Sequence, residues 1–305
     1  MRAVRQDVLG GPEVLKVVEV ERPEPGPTEV LVRVRAAGVN PTDWKHRARG
    51  GFLGKPPFVL GWDVSGVVEK VGIGVTLHKP GDEVFGMLRY PFGAGSHAEY
   101  VAAPSRTFAA KPSGIDHVQA GALPLAALTA WQALVDTAGV REGQRVLIHA
   151  AAGGVGHLAV QIAKARGAYV LGTASAGKHG FLRGIGVDEP IDYRAVDFAE
   201  AVRDADIVID TIGGDYGPRS LRVLRPGGVL VSLVLSDLAD LDADGVRTET
   251  LLVEPDHHAM TQIAALAEAG ALRAEIDSVF PLEDAAKAHE RGATGRVTGK
   301  IVLTV

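Results

Sequence analysis

The sequence predicts an α/β fold in which a doubly wound parallel sheet is inserted within a second domain of β-barrel type. Three observations carry that prediction. Residues 146–156 read VLIHAAAGGVG, a short apolar run passing into a glycine-rich turn. Strand-like and helix-like segments alternate after the turn, as a parallel sheet with crossover helices requires. Before it, short β-like runs are cut by Gly and Pro, and a β-rich segment returns at the end of the chain.

The apolar run Val146 to Ile148 reads as a buried strand, and the pattern from Val155 to Ala165 has a helical period. Between them lies Ala151-x-Gly153-x-x-Gly156, the arrangement of a dinucleotide-binding βα unit. Ala151 stands where the first glycine of the usual fingerprint makes the tight turn, so this turn must tolerate a methyl group. Gly153 lets the backbone approach a pyrophosphate, and Gly156 lets the helix pack closely on the strand. The free N–H groups and dipole of the helix start suit a phosphate. The bland alternative is a tight turn with no ligand. Further strands are expected at Tyr169 to Thr173, near Pro190 to Tyr193, at Asp206 to Thr211 and at Gly228 to Val234, the last after a turn Arg225-Pro226-Gly227-Gly228.

The end of the second of these strands bears on the cofactor. A site that prefers NAD places Asp or Glu there, about 20 residues past the fingerprint, on the ribose hydroxyls. This chain reads Gly172-Thr173-Ala174-Ser175-Ala176-Gly177-Lys178, with no acid. A carboxylate would repel a 2′-phosphate, whereas a hydroxyl and an ammonium would hold one. The expected cofactor is therefore NADPH, with Thr173, Ser175 and Lys178 around its adenosine end. The other reading of Lys178 is a solvated loop lysine.

The 305 residues are enough for two domains, and the apolar and charged fractions, 46% and 23%, are ordinary for a globular protein. The net charge of −5 is mild and no basic patch points to nucleic acid. The opening MRAVRQDVLGGPEVL is not expected to be a signal peptide, and no apolar run is long enough to span a membrane, so the expected location is cytoplasmic. Cysteine is absent, which excludes disulfides, thiolate catalysis and a Cys-ligated zinc site. In the flanking domain, strands are expected at Leu15 to Val20, Glu29 to Ala36, Asp63 to Val71, Glu83 to Phe85 and Ala98 to Ala102. The tail is expected to hold a helix at His258 to Ala269, a strand at Ile276 to Pro281, a helix at Glu283 to Arg291 and a strand at Lys300 to Val305. The nucleotide domain is placed at 124–254, inserted between 1–123 and 255–305.

A family resemblance covers essentially the whole chain. Its motifs are Ala37-Gly38-Val39-Asn40-Pro41-Thr42-Asp43-Trp44, Leu60-Gly61-Trp62-Asp63-Val64-Ser65-Gly66-Val67-Val68 and Lys79-Pro80-Gly81-Asp82-Glu83-Val84-Phe85-Gly86. Leu123-Pro124-Leu125-Ala126-Ala127-Leu128-Thr129-Ala130-Trp131, the fingerprint, Ile191-Asp192-Tyr193, Asp210-Thr211-Ile212-Gly213-Gly214 and Gly299-Lys300-Ile301-Val302-Leu303 follow in order. Together they resemble the zinc-free, quinone-oxidoreductase-like (zeta-crystallin-like) branch of the medium-chain dehydrogenases/reductases. The resemblance implies a Rossmann sheet inserted in a GroES-like catalytic domain. Aligned by motif with the zinc alcohol dehydrogenases of that superfamily, this chain has Asn40, Trp62 and Leu125 at the three catalytic zinc ligands, and neither Trp nor Leu can ligate zinc. The four-cysteine structural lobe is also missing. Without a Lewis acid to activate an alcohol, the expected reaction is hydride transfer from NADPH to a quinone. The alternative is reduction of an alkenal or enone C=C bond, and a regulatory or structural NADPH-binding protein is the non-enzyme alternative. A methyltransferase-like reading fails for want of an acid on the ribose.

The resemblance implies that NADPH lies in the cleft between the domains. Its pyrophosphate would rest on Ala152, Gly153, Gly154, Val155 and Gly156, and its nicotinamide would lie near Asn40 and Thr129. Asn40 otherwise reads as an Asx-turn residue before a proline, and Thr129 as part of a helix start. Tyr193 is expected against the adenosine phosphate or as a packing tyrosine, and Gly213 against the nicotinamide ribose. Lys300 is expected to help hold the cofactor, or else to sit at the start of an edge strand. Lys45 stands where quinone oxidoreductases often carry tyrosine. It reads as a catalytic group for an enolate oxygen, or as a surface lysine paired with Asp43 or Glu99. His46 and His97 read as ordinary polar residues, and Asp63 as a structural acid bonding backbone. Phe52, Phe58, Tyr90 and Phe92 are candidates to line a substrate pocket. A homodimer is expected through edge strands in Val229 to Val234 and Leu251 to Val253, with an acidic loop from Ser236 to Thr250 between them.

Overall fold

The structure, a computed structural model, describes residues 1–234 and 245–305. It divides into two compact units: Met1–Leu128 with Glu254–Val305, and Thr129–Val253. The division falls inside the helix Pro124–Trp131.

Among the described residues, the second unit holds a six-stranded parallel sheet. Its strands run in the order Glu189–Asp192, Tyr169–Ala174, Arg145–Ile148, Ala205–Asp210, Leu224–Ser232 and Arg247–Thr250. That is the doubly wound order of a dinucleotide fold, in which the strand order reverses beside the first strand. The central strands read as unbroken apolar runs because both faces are covered. Leu147, Val208 and Leu230 pack with Phe198 and Val202 into a core that excludes water.

The sequence reading differs at the far edge of this sheet. The Arg225-Pro226-Gly227-Gly228 segment is not a turn before the fifth strand. The strand starts at Leu224, and its register slips from Ala205↔Leu224 to Ile207↔Val229, so these residues form a bulge. The edge strand is Arg247–Thr250, not Leu251 to Val253. Within the expected acidic loop Ser236 to Thr250, residues 236–244 lie outside the described residues and the last four form that strand.

The first unit holds a seven-stranded sheet built around Glu29–Val39. This long strand pairs with Asp63–Val71 on one side. On the other it pairs first with Tyr100–Pro104 and then with Lys300–Thr304. The returning tail therefore closes a gap in the N-terminal sheet. Lys300–Thr304 is an interior strand, with Ile276–Pro281 beyond it, so the edge-strand reading of Lys300 is corrected. A three-stranded sheet of Lys16–Glu19, Arg2–Gln6 and Phe58–Val59 completes the unit's strands.

Registers decide which residues meet. Ile301 lies opposite Val39, so in this antiparallel pair Lys300 and Asn40 arrive side by side. Ser65 lies opposite Ala36, which brings Asp63 level with Gly38. A Cβ on Gly38 would fall 2.3 Å from Asp63 Oδ2. Glycine at 38 thus leaves room for a carboxylate inside the sheet.

The glycine turn of the second unit is built the same way, by what a neighbour lacks. Ala150 takes φ +47°, a left-handed conformation that costs a non-glycine residue energy. Thr173 holds it there: its Oγ1 accepts from Ala150 N–H at 3.1 Å and its carbonyl from Ala151 N–H at 2.9 Å. The methyl of Ala151 is accommodated because the adjacent strand carries Gly172. A Cβ at 172 would lie 2.8 Å from that methyl. Gly156 keeps the helix Gly156–Ala165 close, since a Cβ there would lie 2.3 Å from the Ala150 carbonyl. Gly172→Ala is expected to lower stability by about 1–3 kcal/mol through overpacking, and Ala151→Gly in the same chain to recover most of the loss. Urea unfolding of the two single variants and the double variant measures the coupling.

Candidate functional site

In the first unit, two buried carboxylates organise three chain segments. Asp63 is fully buried. Its Oδ1 accepts from the backbone N–H of Leu125 at 2.6 Å, and its Oδ2 accepts from Asn40 Nδ2 at 2.8 Å. Lys300 Nζ lies 3.3 Å from Asp63 Oδ2 and also donates to Asn40 Oδ1. Asp43 is the second carboxylate. One of its oxygens accepts from Asn40 N–H at 2.6 Å and the other from Gly61 N–H at 3.1 Å. Burial, opposed by these two hydrogen bonds, pushes the Asp43 pKa up to about 7, and the nearby Asp63 adds to the rise.

The zinc-ligand alignment can be tested on this geometry. Trp62 and Leu125 carry no ligand atom, and both polar side-chain atoms of Asn40 are engaged, by Asp63 and by Lys300. These residues do not fit a catalytic zinc. The expected Asx-turn role of Asn40 is also corrected: its backbone caps the helix Pro41–Arg49, but its side chain turns inward to the carboxylate and the ammonium. Asp63 bonds backbone as read from the sequence. Lys300 is only 3% exposed, and its charge answers Asp63.

Lys45 stands apart from this cluster. It is exposed on the helix Pro41–Arg49, whose inward residues are Asp43, His46 and Arg47. The partners expected for it are used elsewhere: Asp43 by backbone, Glu99 by Arg2 at 2.8 Å. His46 is buried and bonded to local backbone: its Nδ1 lies 2.8 Å from the Thr42 carbonyl and its Nε2 accepts from Phe52 N–H at 3.2 Å. His97 is fully buried, with its ring edge-on to His289 at 5.9 Å, and burial pushes its pKa down to about 4.

In the second unit, the expected cofactor residues gather at the carboxyl ends of the strands, where doubly wound sheets bind ligands. Ala152, Gly153, Gly154 and Val155 form the turn into the helix that starts at Gly156. Among the described residues, the N–H groups of Gly154 and Val155 have no acceptor within the protein. That fits a pyrophosphate. Ser175 and Lys178 share one turn, with Lys178 N–H donating to the Ser175 carbonyl at 2.9 Å. Ala174 is registered against Asp192, so Ser175 and Tyr193 follow side by side, and Tyr193 is 46% exposed. Thr173 is buried, and its hydroxyl accepts from the Ala150 N–H of the turn. Gly213 takes φ +80°, and its N–H is already given to Asp210 at 3.0 Å. Thr129 is buried in the second half of the helix Pro124–Trp131, not at a helix start.

The sequence reading missed Gly172 and the function of Asp43. Asn40-Pro41-Thr42-Asp43, with an acid three residues after the cap and proline first in the helix, is a helix-start signature that would have found the latter.

The fold and these two sites define a two-domain, nicotinamide-dinucleotide-dependent oxidoreductase. Residues 26–113 match the family described as an alcohol dehydrogenase GroES-like domain, and residues 185–303 match the family described as a zinc-binding dehydrogenase. The chain is 34% identical over 325 residues to a quinone oxidoreductase of Homo sapiens, covering 99% of this chain and 97% of that protein. It is 36% identical over 320 residues to a 2-haloacrylate reductase of a Burkholderia species, covering 96% of each. Among solved structures, the quinone oxidoreductase from Coxiella burnetii superposes with TM-score 0.94 at 38% identity, covering 100% of this chain and 99% of that one. The Escherichia coli quinone oxidoreductase complexed with NADPH superposes with TM-score 0.90 at 28% identity, covering all of both chains. The chain belongs to the quinone-oxidoreductase-like branch of the medium-chain dehydrogenases/reductases. It acts on a small molecule, and among the described residues no helix is long and apolar enough to cross a membrane.

Two outcomes follow from the buried charges. Lys300→Met leaves Asp63 buried without its cation and is expected to cost about 3–5 kcal/mol; adding Asp63→Asn should return most of it, as read by chemical denaturation. Asp43 binds its proton more tightly folded than unfolded, so between its ordinary pKa and about 7 the native state holds the extra proton. Stability contributed by that protonation is present at acid pH and lost as pH rises towards 7, at up to about 1.4 kcal/mol per unit. Asp43→Asn should flatten this slope in denaturation curves taken from pH 4 to pH 8.

Proposed function

We propose that the protein transfers a hydride from NADPH to a quinone without zinc. The observation that carries this reading is the replacement of a ligand set by Asn40, Trp62 and Leu125, with Asn40 committed to Asp63 and Lys300. An alcohol has no Lewis acid here to lower its pKa, so an acceptor that is already electrophilic suits the site. When bound, the reduced nicotinamide supplies the hydride.

The chain's own residues do the rest. The unspent N–H groups of Gly154 and Val155, at the start of the helix, hold pyrophosphate. Ser175 and Lys178 hold the 2′-phosphate, and the exposed ring of Tyr193 covers the adenosine end beside them. Asn40, fixed at both ends of its amide, and Thr129 orient the nicotinamide ribose and the acceptor. Their contributions are proximity and a preorganised polar field. Reduction of an activated C=C bond is the second reading, favoured by the likeness to 2-haloacrylate reductase. A cytoplasmic homodimer is the proposed state, with Arg247–Thr250 as the exposed strand edge available for pairing.

Oxidation of NADPH and NADH, followed by nicotinamide absorbance with EDTA present, tests the reading. Turnover with a simple quinone and an ortho-quinone, faster with NADPH, is the expected result. Turnover on a 2-alkenal alone moves the function to enone reduction, and loss of activity in EDTA removes the zinc-free mechanism. Ser175→Asp combined with Lys178→Ala should raise the KM for NADPH by about 10–100-fold, the worth of one or two charge-assisted hydrogen bonds, with little change for NADH.

A further inference from the structure

Next to the Asn40 cluster, in the first unit, lies an aromatic group that the scheme above does not use. Trp62 packs edge-on against Tyr90 at 5.2 Å and against His46 at 5.2 Å. Phe52 stacks on His46 at 6.1 Å and meets Phe92 edge-on at 5.9 Å. Trp62 occupies the second of the three aligned ligand positions, so these rings pack around that position.

The hydrogen bonds in this group have a direction. The Phe52 N–H can only donate, so His46 Nε2, which receives it at 3.2 Å, carries no hydrogen. Burial keeps the His46 imidazole neutral by lowering its pKa. Its one hydrogen therefore sits on Nδ1, which lies 2.8 Å from the Thr42 carbonyl and 3.0 Å from Thr42 Oγ1. A protonated Nδ1 cannot accept, so the Thr42 hydroxyl must give its hydrogen elsewhere. Tyr90 Oη, 3.3 Å away, is the acceptor within reach among the described residues. The phenol can thus receive a hydrogen bond from Thr42 and keep its own hydrogen to give. Among the described residues, the Trp62 Nε1–H beside it is fully buried and also has no acceptor.

We infer that Tyr90, oriented by the Phe52–His46–Thr42 chain, is a catalytic hydrogen-bond donor to the carbonyl oxygen of the acceptor, in the place of a metal. This rests on the reductase reading above. The acceptor gains a hydride, which carries both electrons, and a proton from water; NADPH leaves as NADP⁺, and Tyr90 ends with the proton it began with. Negative charge grows on the acceptor oxygen as the hydride arrives, and a fixed donor aimed at that oxygen lowers the barrier. Burial raises the Tyr90 pKa, which keeps the phenol in its donating form. Thr42 and His46 are positioning residues, since they act through Tyr90.

The test compares the full-length wild type with Tyr90→Phe, Thr42→Val and Thr42→Ser, using NADPH with an ortho-quinone and with a 2-alkenal. Tyr90→Phe keeps the ring packing on Trp62 and removes one donor. It should lower kcat by about 100–1,000-fold while the KM for NADPH and the thermal midpoint stay at wild-type values. Thr42→Val should lower kcat by about tenfold, and Thr42→Ser, which keeps the hydroxyl, should restore it. A Tyr90→Phe enzyme with wild-type kcat on an acceptor that the wild type reduces overturns the role of Tyr90 and leaves the reductase reading standing. A wild type that binds NADPH but reduces neither acceptor overturns both.

Discussion

Lys300 carries its charge into a place with almost no water: the side chain is 3% exposed, and the Asp63 carboxylate 3.3 Å away is fully buried. Neither charge would be tolerable alone. Together, with Asn40 between them, they satisfy one another and leave Asp63 an oxygen for the Leu125 N–H. One ion pair thus ties the last strand, the long N-terminal strand, the strand from Asp63 and the start of the helix at Pro124. Asn40 and Trp62 adjoin two of these strands and Leu125 lies in the helix. An ammonium and two carboxylates organise these segments.

That arrangement also explains why the Asn40 side chain does not bend a turn. Its amide is held at both ends, and its backbone N–H is held by Asp43. Asp43 carries the cost, as the raised pKa of a buried acid beside a second acid. The second unit uses the same kind of compensation without charge. A methyl at Ala151 and a left-handed Ala150 are both acceptable because Gly172 and Thr173, on the neighbouring strand, make room and supply hydrogen bonds.

The parallel sheet was legible because its strands are apolar runs set off by turn residues, and their carboxyl ends could be located to within a residue or two. The far edge was less so. Arg225-Pro226-Gly227-Gly228 has turn composition, yet a bulge needs the same residues, and only pairing with Ala205 and Ile207 distinguishes the two. Arg247–Thr250 is a polar edge strand and lacks the apolar signal on which a strand reading depends. Lys300 looked like an edge residue because, although a strand at Ile276 to Pro281 was legible, nothing local shows that it pairs in parallel beyond Lys300–Thr304 after an intervening helix.

The residues themselves determined the glycine turn, the missing acid after the second strand, the missing thiols and the non-ligating Trp62 and Leu125. Each of these follows from residue type and local spacing, which need no partner. Tertiary structure alone decided that Lys300 meets Asn40 and Asp63, that Gly172 accommodates Ala151, that Lys45 faces outward, and that the Thr42 and Tyr90 hydroxyls meet. Those outcomes depend on strand register and on burial. Both are set by contacts between residues as far apart as 40 and 300, and no local window of sequence contains them.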